Sequence, residues 1–167
     1  MALKKTSQVL NIGASVLEAG PNTYTEAEIT LPLNTLDREV FVVTDVYVDS
    51  NNPSEVALTT TAVHLQVTKT TQLAITTIAD PQMIASSRYS LFGGVGEFSP
   101  IMEEFPQVNS TGTAADHLAI IATPNFFLGI EGTNNLNPRA GNARISGYRA
   151  KATADVYAAL VTEELNA

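Results

Sequence analysis

The sequence predicts an all-β protein, a single antiparallel β-sandwich of about eight strands, and three observations carry that prediction. Several segments alternate apolar and polar residues with period two, the pattern of a half-buried strand. Clusters of Asn, Asp, Ser, Gly and Pro separate those segments, and each of these residues turns a chain for its own physical reason: a left-handed backbone, a fixed φ, or a side chain that bonds its own main chain. Charged residues make up only 16% of the chain while threonine is abundant, which suits a pleated sheet with neutral polar faces rather than a disordered segment. At 167 residues the chain fits one domain with a core of its own, and no linker or internal repeat divides it.

Taken in order, residues 1–23 show no strong period; Ala14, Ser15, Gly20, Pro21 and Asn22 read as an arm or loop leading into a domain over residues 24–167. Thr25–Leu31 alternates, with Ala27, Ile29 and Leu31 facing one way and Glu26, Glu28 and Thr30 the other, until Pro32 ends it. Glu39–Val48 is the strongest strand. Val40, Val42, Thr44, Val46 and Val48 fall on one face and Phe41, Val43, Asp45 and Tyr47 on the other, so both faces carry apolar bulk. Such a strand is central, or buried against a neighbouring subunit. Asp49-Ser50-Asn51-Asn52-Pro53 is turn chemistry, and Val56–Lys69 is its antiparallel partner, with Val63, Leu65 and Val67 inward and His64, Gln66 and Thr68 outward. Gln72–Ile78 reads as a further strand, broken at Asp80-Pro81.

Residues 79–117 are punctuated by Pro81, Gly93, Gly94, Gly96, Pro100, Pro106 and Gly112, and read mostly as long loops around a short strand at Arg88–Phe92. His117–Thr123 and Phe126–Ile130 look like one strand interrupted at Pro124. Gly132–Gly141 is a polar loop, and Asn142–Ala152 is a last long strand with Ile145 and Tyr148 on opposite faces. Thr153–Leu165 fits a short C-terminal helix, capped by Asp155 with Val156/Leu160 and Tyr157/Val161 at i,i+4 spacing, and it fits a strand as well.

Composition narrows the function classes. Cysteine is absent, so disulfides and thiolate metal sites are excluded. With 9 basic and 17 acidic residues the net charge is −8, which disfavours a nucleic-acid-binding surface; Lys4 and Lys5 at the N-terminus are too few to hold nucleic acid tightly. The sequence offers no stretch of about 18 apolar residues to span a bilayer and no secretory leader.

No catalytic, cofactor or metal site is expected, for reasons that can be given residue by residue. His64 lies mid-strand with no acid near it in sequence to orient it as a base. His117 follows Asp116, and Ser110, Thr111 and Thr113 lie upstream, but no Gly-x-Ser-x-Gly elbow marks a nucleophile. Asp49, Asn51 and Glu55 could offer oxygens to calcium, yet the loop lacks the acidic density of a calcium loop. Gly93-Gly94-Val95-Gly96 lacks the Lys-Ser/Thr of a phosphate cradle and adjoins Glu97; Phe92 and Phe98 make it a loop anchored by aromatics. The adjacent acids Glu103–Glu104 and Glu163–Glu164 read as solvated pairs. Five tyrosines (Tyr24, Tyr47, Tyr89, Tyr148, Tyr157) could line a cleft, but without tryptophan a sugar platform lacks its best residue. Asn109-Ser110-Thr111 fits a glycosylation acceptor. Arg139, Arg144, Arg149 and Lys151 cluster late, and are read as partners for acids on a neighbouring subunit in preference to nucleic acid.

The layout resembles the single jelly-roll capsid proteins of viruses. The points of resemblance are the polar arm Met1–Thr23, the early strand ending Ile29-Thr30-Leu31-Pro32-Leu33, the strong strand Glu39–Val48, the long Pro/Gly loops and a late β-hairpin around Gly132–Gly141. The resemblance covers most of the chain as architecture and departs in its arm, where many capsid arms are richly basic. It implies a jelly-roll-like sandwich, a self-assembling coat subunit rather than an enzyme, homo-oligomers such as a trimer or a shell, contacts with other virion proteins, and a virion location. The competing expectations are a ligand- or carbohydrate-binding module using loops 79–117, and a hydrolase built around Asp116 and His117.

Overall fold

The computed structural model describes residues 3–105 and 117–165. Among these, ten strands form two five-stranded antiparallel sheets that pack face to face, with one C-terminal helix. The strands are β1 (Leu3–Lys5), β2 (Leu10–Leu17), β3 (Thr25–Thr30), β4 (Glu39–Ser50), β5 (Thr60–Thr68), β6 (Met83–Gly93), β7 (Phe98–Phe105), β8 (Ala119–Ile121), β9 (Asn125–Thr133) and β10 (Ala140–Ala152). The helix is α1 (Ala154–Leu165). Sheet A runs β2-β10-β4-β8, with β1 continuing β2 along the edge of β10; sheet B runs β3-β9-β5-β6-β7.

That order is a jelly roll. Of the eight strands left when β1 and β7 are set aside, the chain places alternate members in alternate sheets except at the β5–β6 hairpin. The first strand pairs with the last and the second with the next to last, as two interlocked Greek keys require. Between the sheets lies an apolar core: Phe41, Val43 and Val46 of β4, Val63, Leu65 and Val67 of β5, Leu128 and Ile130 of β9, and Ile145 of β10. A second, smaller cluster sits on the outside of sheet A. There Val40, Val42, Ala150 and Ala152 are covered by Val156, Tyr157, Leu160 and Val161 of α1.

This second cluster explains the doubly apolar strand. β4 is central in sheet A, and its outer face is buried by the chain's own helix rather than by a neighbouring subunit. Its simple alternation also breaks. Val43 pairs with Gly147 and Asp45 with Ser146, so Thr44 is an extra residue, a β-bulge, whose hydroxyl donates to the Ser146 carbonyl at 3.1 Å. The bulge inverts the faces: Phe41 and Val43 point inward before it, Val46 and Val48 after it. Gly147 is required here, because a methyl group would collide with the Val42 carbonyl and the Phe41 ring.

Other elements also differ from the sequence reading; β4 and β5, β8 and β9, and β9 and β10 each lie in opposite sheets, so none of them is the neighbouring pair or single strand expected. Residues 3–17, read as part of an arm, hold β1 and β2; Leu10, Ile12, Ala14 and Val16 turn toward the core, but small residues at Gly13, Ala14 and Ser15 blur the period. Residues 98–105, read as loop, form β7 on the edge of sheet B, where Pro100 is tolerated. Arg88–Phe92 is the end of a longer strand. Gln72–Ile78 is not a strand: it folds over the outer face of sheet B, because side chains of that face satisfy its main chain. Gln66 Oε1 accepts from Thr76 N (2.8 Å), Gln66 Nε2 donates to the Ala74 carbonyl (3.1 Å), and Glu26 Oε2 accepts from Gln72 N (2.9 Å).

Thr153–Leu165 resolves as helix, and its terminal acids explain how. Glu164, 3% exposed, accepts from the main-chain N–H groups of Ala122 (2.8 Å) and Thr123 (2.9 Å), clamping α1 to the β8–β9 link. Glu163 meets Lys69 at 3.2 Å. The pair read as solvated is therefore structural, and its partners outweigh the unfavourable helix dipole.

Candidate functional site

The registers bring four connections to one end of the sandwich: β2–β3, β4–β5, β6–β7 and β9–β10. A knot of polar side chains ties three of them together. The buried Glu18 carboxylate accepts from Gly132 N (2.5 Å) and Arg139 N (2.7 Å). Asn135 accepts from Ser54 N at 2.8 Å and donates to the Ala62 carbonyl at 2.7 Å, while Asn22 bonds both the N–H (2.7 Å) and the carbonyl (3.0 Å) of Asn135. Arg139 reaches the Asn52 carbonyl at 3.1 Å and the Ser54 hydroxyl. Most of these bonds satisfy buried or half-buried polar groups that would otherwise be left unpaired, so these loops are held in fixed relation.

On this base the loop end displays apolar side chains: Leu17, Phe92, Val95 and Leu136 are all exposed, and Leu58 is 75% exposed. Leu58 also sits at φ +59°, in the left-handed region. Asn22 and Asn134 share that conformation at the same end, and asparagine adopts it readily; leucine does not, at a cost of roughly 1–2 kcal/mol. A strained leucine pointing into water is a poor choice for the stability of the monomer.

The residues singled out from sequence scatter. His64 lies on the outer face of sheet B, opposite Arg88 of β6 and Glu131 of β9, and Arg88 is in turn opposite Glu103 of β7. The acid missing from its own strand is thus supplied across strands, which sequence spacing alone does not reveal. Burial first, then the Arg88 cation, hold the His64 pKa below its ordinary value, against a smaller pull from Glu103. His117 precedes β8; Asp116, its expected partner, lies outside the described residues, as do Ser110, Thr111, Thr113 and the Asn109 acceptor.

Asp49 stands opposite Asn142 one residue before the end of β4 while the polar interior of the next loop belongs to Ser54, and among the described residues no cluster of three metal-ligating His, Asp or Glu side chains forms. Gly93–Gly96 is the β6–β7 turn, closed by Gly94 N to the Glu97 carbonyl at 2.7 Å. The tyrosines do not share a cleft: Tyr24 bonds Glu26 and Gln66 on sheet B, Tyr89 stands opposite Val63 in that sheet, Tyr47 faces outward on sheet A, and Tyr148 of β10 and Tyr157 of α1 belong to the cluster between sheet A and the helix.

The late basic residues find partners within their own chain rather than presenting a patch. Arg149 meets Glu39 at 3.5 Å, Lys151 meets Asp37 at 3.7 Å, Arg144 lies over the Tyr47 ring at 5.2 Å, and Arg139 belongs to the loop knot. Glu39 is buried, and its pKa is lowered chiefly by the bond from Asn34 N, with burial opposing and Thr6 and Arg149 adding to the lowering. No described helix is long and apolar enough to cross a membrane.

The fold and its loop end define a class, an antiparallel jelly-roll β-sandwich with a rigid, apolar-tipped loop end. No protein-family model and no curated protein sequence matches the chain.

Proposed function

We propose that the protein is a self-assembling structural subunit, a viral capsid or virion coat protein, that joins copies of itself and other virion proteins through its loop end. The observation that carries this reading is Leu58: strained, exposed, and at the same end of the sandwich as the exposed Leu17, Phe92, Val95 and Leu136, where the Glu18–Asn135 knot ties the β2–β3, β4–β5 and β9–β10 connections together. Exposed apolar groups on a pre-ordered base lose little entropy on docking, which is what a repeated contact between identical subunits uses. The viral part of the reading leans on the likeness of the strand order to the single jelly-roll coat proteins, since a sandwich by itself hosts many roles.

Light scattering on a sizing column tests it. A trimer or a larger closed particle is expected, and Leu58→Asn is expected to lower the assembled fraction. A 17.7 kDa species that persists at high protein concentration contradicts the proposal.

A further inference from the structure

Helix α1 covers one half of sheet A's outer face, and the other half is open. Its centre is a row of three cross-strand neighbours: Gly13 on β2, Arg144 on β10 and Tyr47 on β4. One row toward the helix, Asp45 stands opposite Ser146; one row toward the loop end, Asp49 stands opposite Asn142. All seven positions are exposed or half-exposed. The bulge at Thr44 turns Asp45, Tyr47 and Asp49 outward; continued alternation from Phe41 and Val43 would have turned them into the core.

We propose that this open face is a binding site for a neutral oligosaccharide. Three features point to a ligand. The Arg144 guanidinium is held over the half-exposed Tyr47 ring at 5.2 Å, a pre-ordered planar donor on an aromatic base. Asp45, Asp49 and Asn142 make no side-chain hydrogen bond to any described residue, so two carboxylates and an amide beside that cation are available to hydroxyl groups. Gly13 lies within a strand, where glycine weakens the sheet and often marks the close approach of a ligand. Nothing lies within 4 Å of where its Cβ would be, so packing does not require the glycine, and the sheet surface beside Arg144 is open there.

Size and charge select the occupant. Three strands about 4.8 Å apart and three outward positions about 6.8 Å apart span about 10 by 14 Å. That is far below the roughly 800 Å² per partner of a stable protein interface, so a second copy is not the occupant. One cation flanked by two carboxylates repels polyanions, while sugar hydroxyls can donate to the aspartates and accept from Arg144 and Asn142. The site is independent of the self-assembly reading, because it uses neither the loop end nor Leu58.

The test is calorimetric titration of the whole chain with cellotriose, maltotriose, mannotriose and chitotriose, each to about 10 mM, with a sulfated trisaccharide as the anionic comparison. At least one neutral trimer is expected to bind with a Kd of about 1 mM or tighter, and the sulfated one not. Gly13→Val places a branched side chain and good strand former on that open surface; it is expected to keep or raise Tm while weakening binding at least about tenfold. Arg88→Ala, on the other sheet, is expected to leave binding unchanged. The proposal is overturned if no neutral trimer binds, if the sulfated trimer binds in their place, or if Gly13→Val binds as the wild type does.

Discussion

Glu164 shows how one side chain can decide the fate of an element. Replacing it by alanine leaves the Ala122 and Thr123 N–H groups without their carboxylate, and a loss of about 2–4 kcal/mol in urea unfolding is expected. Glu163→Ala, whose carboxylate is half exposed, is expected to lose less than about 1 kcal/mol. Leu58→Asn should gain roughly 0.5–1 kcal/mol by relieving the left-handed leucine, read as a higher Tm. Acid sensitivity also resolves to residues. The folded pKa of His64 lies below the ordinary 6.5, so the unfolded chain takes up the proton first. Its contribution is full above about 6.5 and is lost as pH falls toward the folded pKa. Glu39, lowered from 4.5, contributes above that value and loses its contribution as pH falls further. Stability should therefore drop in two acid steps, and His64→Gln should flatten the first. A single-step profile that His64→Gln leaves unchanged would contradict this. The roles of these residues were not legible in the sequence, because Glu163, Glu164 and His64 owe them to partners at least 24 positions away, Glu39 to a main-chain bond from Asn34 that needs the intervening turn, and Leu58 to a backbone angle.

At the scale of elements, strands whose own alternation was strong were legible: β3, β5, β9 and β10 lie close to where their patterns place them, but β4 and β5, read as partners, β8 and β9, read as one interrupted strand, and β9 and β10, read as a hairpin, each fall in opposite sheets. β4 was found, but its bulge was not, since Val40 to Val48 alternates on paper without interruption; the inversion appears only when β10 supplies the register. β2 was missed because its inward Ala14 is small and its outward Gly13 reads as a turn. Gln72–Ile78 was misread because β-branched residues suit a strand equally well as a loop pinned by Gln66 and Glu26. Deleting Thr44 is expected to keep a cooperative melt in circular dichroism with a modest loss of Tm, because it removes the extra residue and leaves Phe41, Val43, Val46 and Val48 on one face of a regular strand, at the cost of the Thr44 bond to the Ser146 carbonyl. Ending the chain at Thr153 removes four half-buried apolar side chains from Val40, Val42, Ala150 and Ala152. That truncation should cost roughly 3–5 kcal/mol and bind a hydrophobic dye, while far-ultraviolet dichroism stays that of a β protein.

For the whole molecule, the sandwich was legible from composition and period, and its jelly-roll-like layout only through the architectural resemblance, because strand order is a set of long-range pairings that no local pattern encodes. The loop end was likewise invisible: Leu17, Leu58, Val95 and Leu136 are far apart in sequence, and only the closing of the sandwich gathers them. The pairing of β2 with β10 has a consequence for how the molecule is made. β2 leaves the ribosome more than a hundred residues ahead of β10, the strand that will hydrogen-bond it. Such non-local pairing slows folding, so β2 spends the time of synthesis with its ladder groups open. A newly made chain in a crowd of its siblings therefore carries a strand that could be exchanged with another copy before its own partner exists, and translation speed becomes a determinant of how cleanly this protein folds.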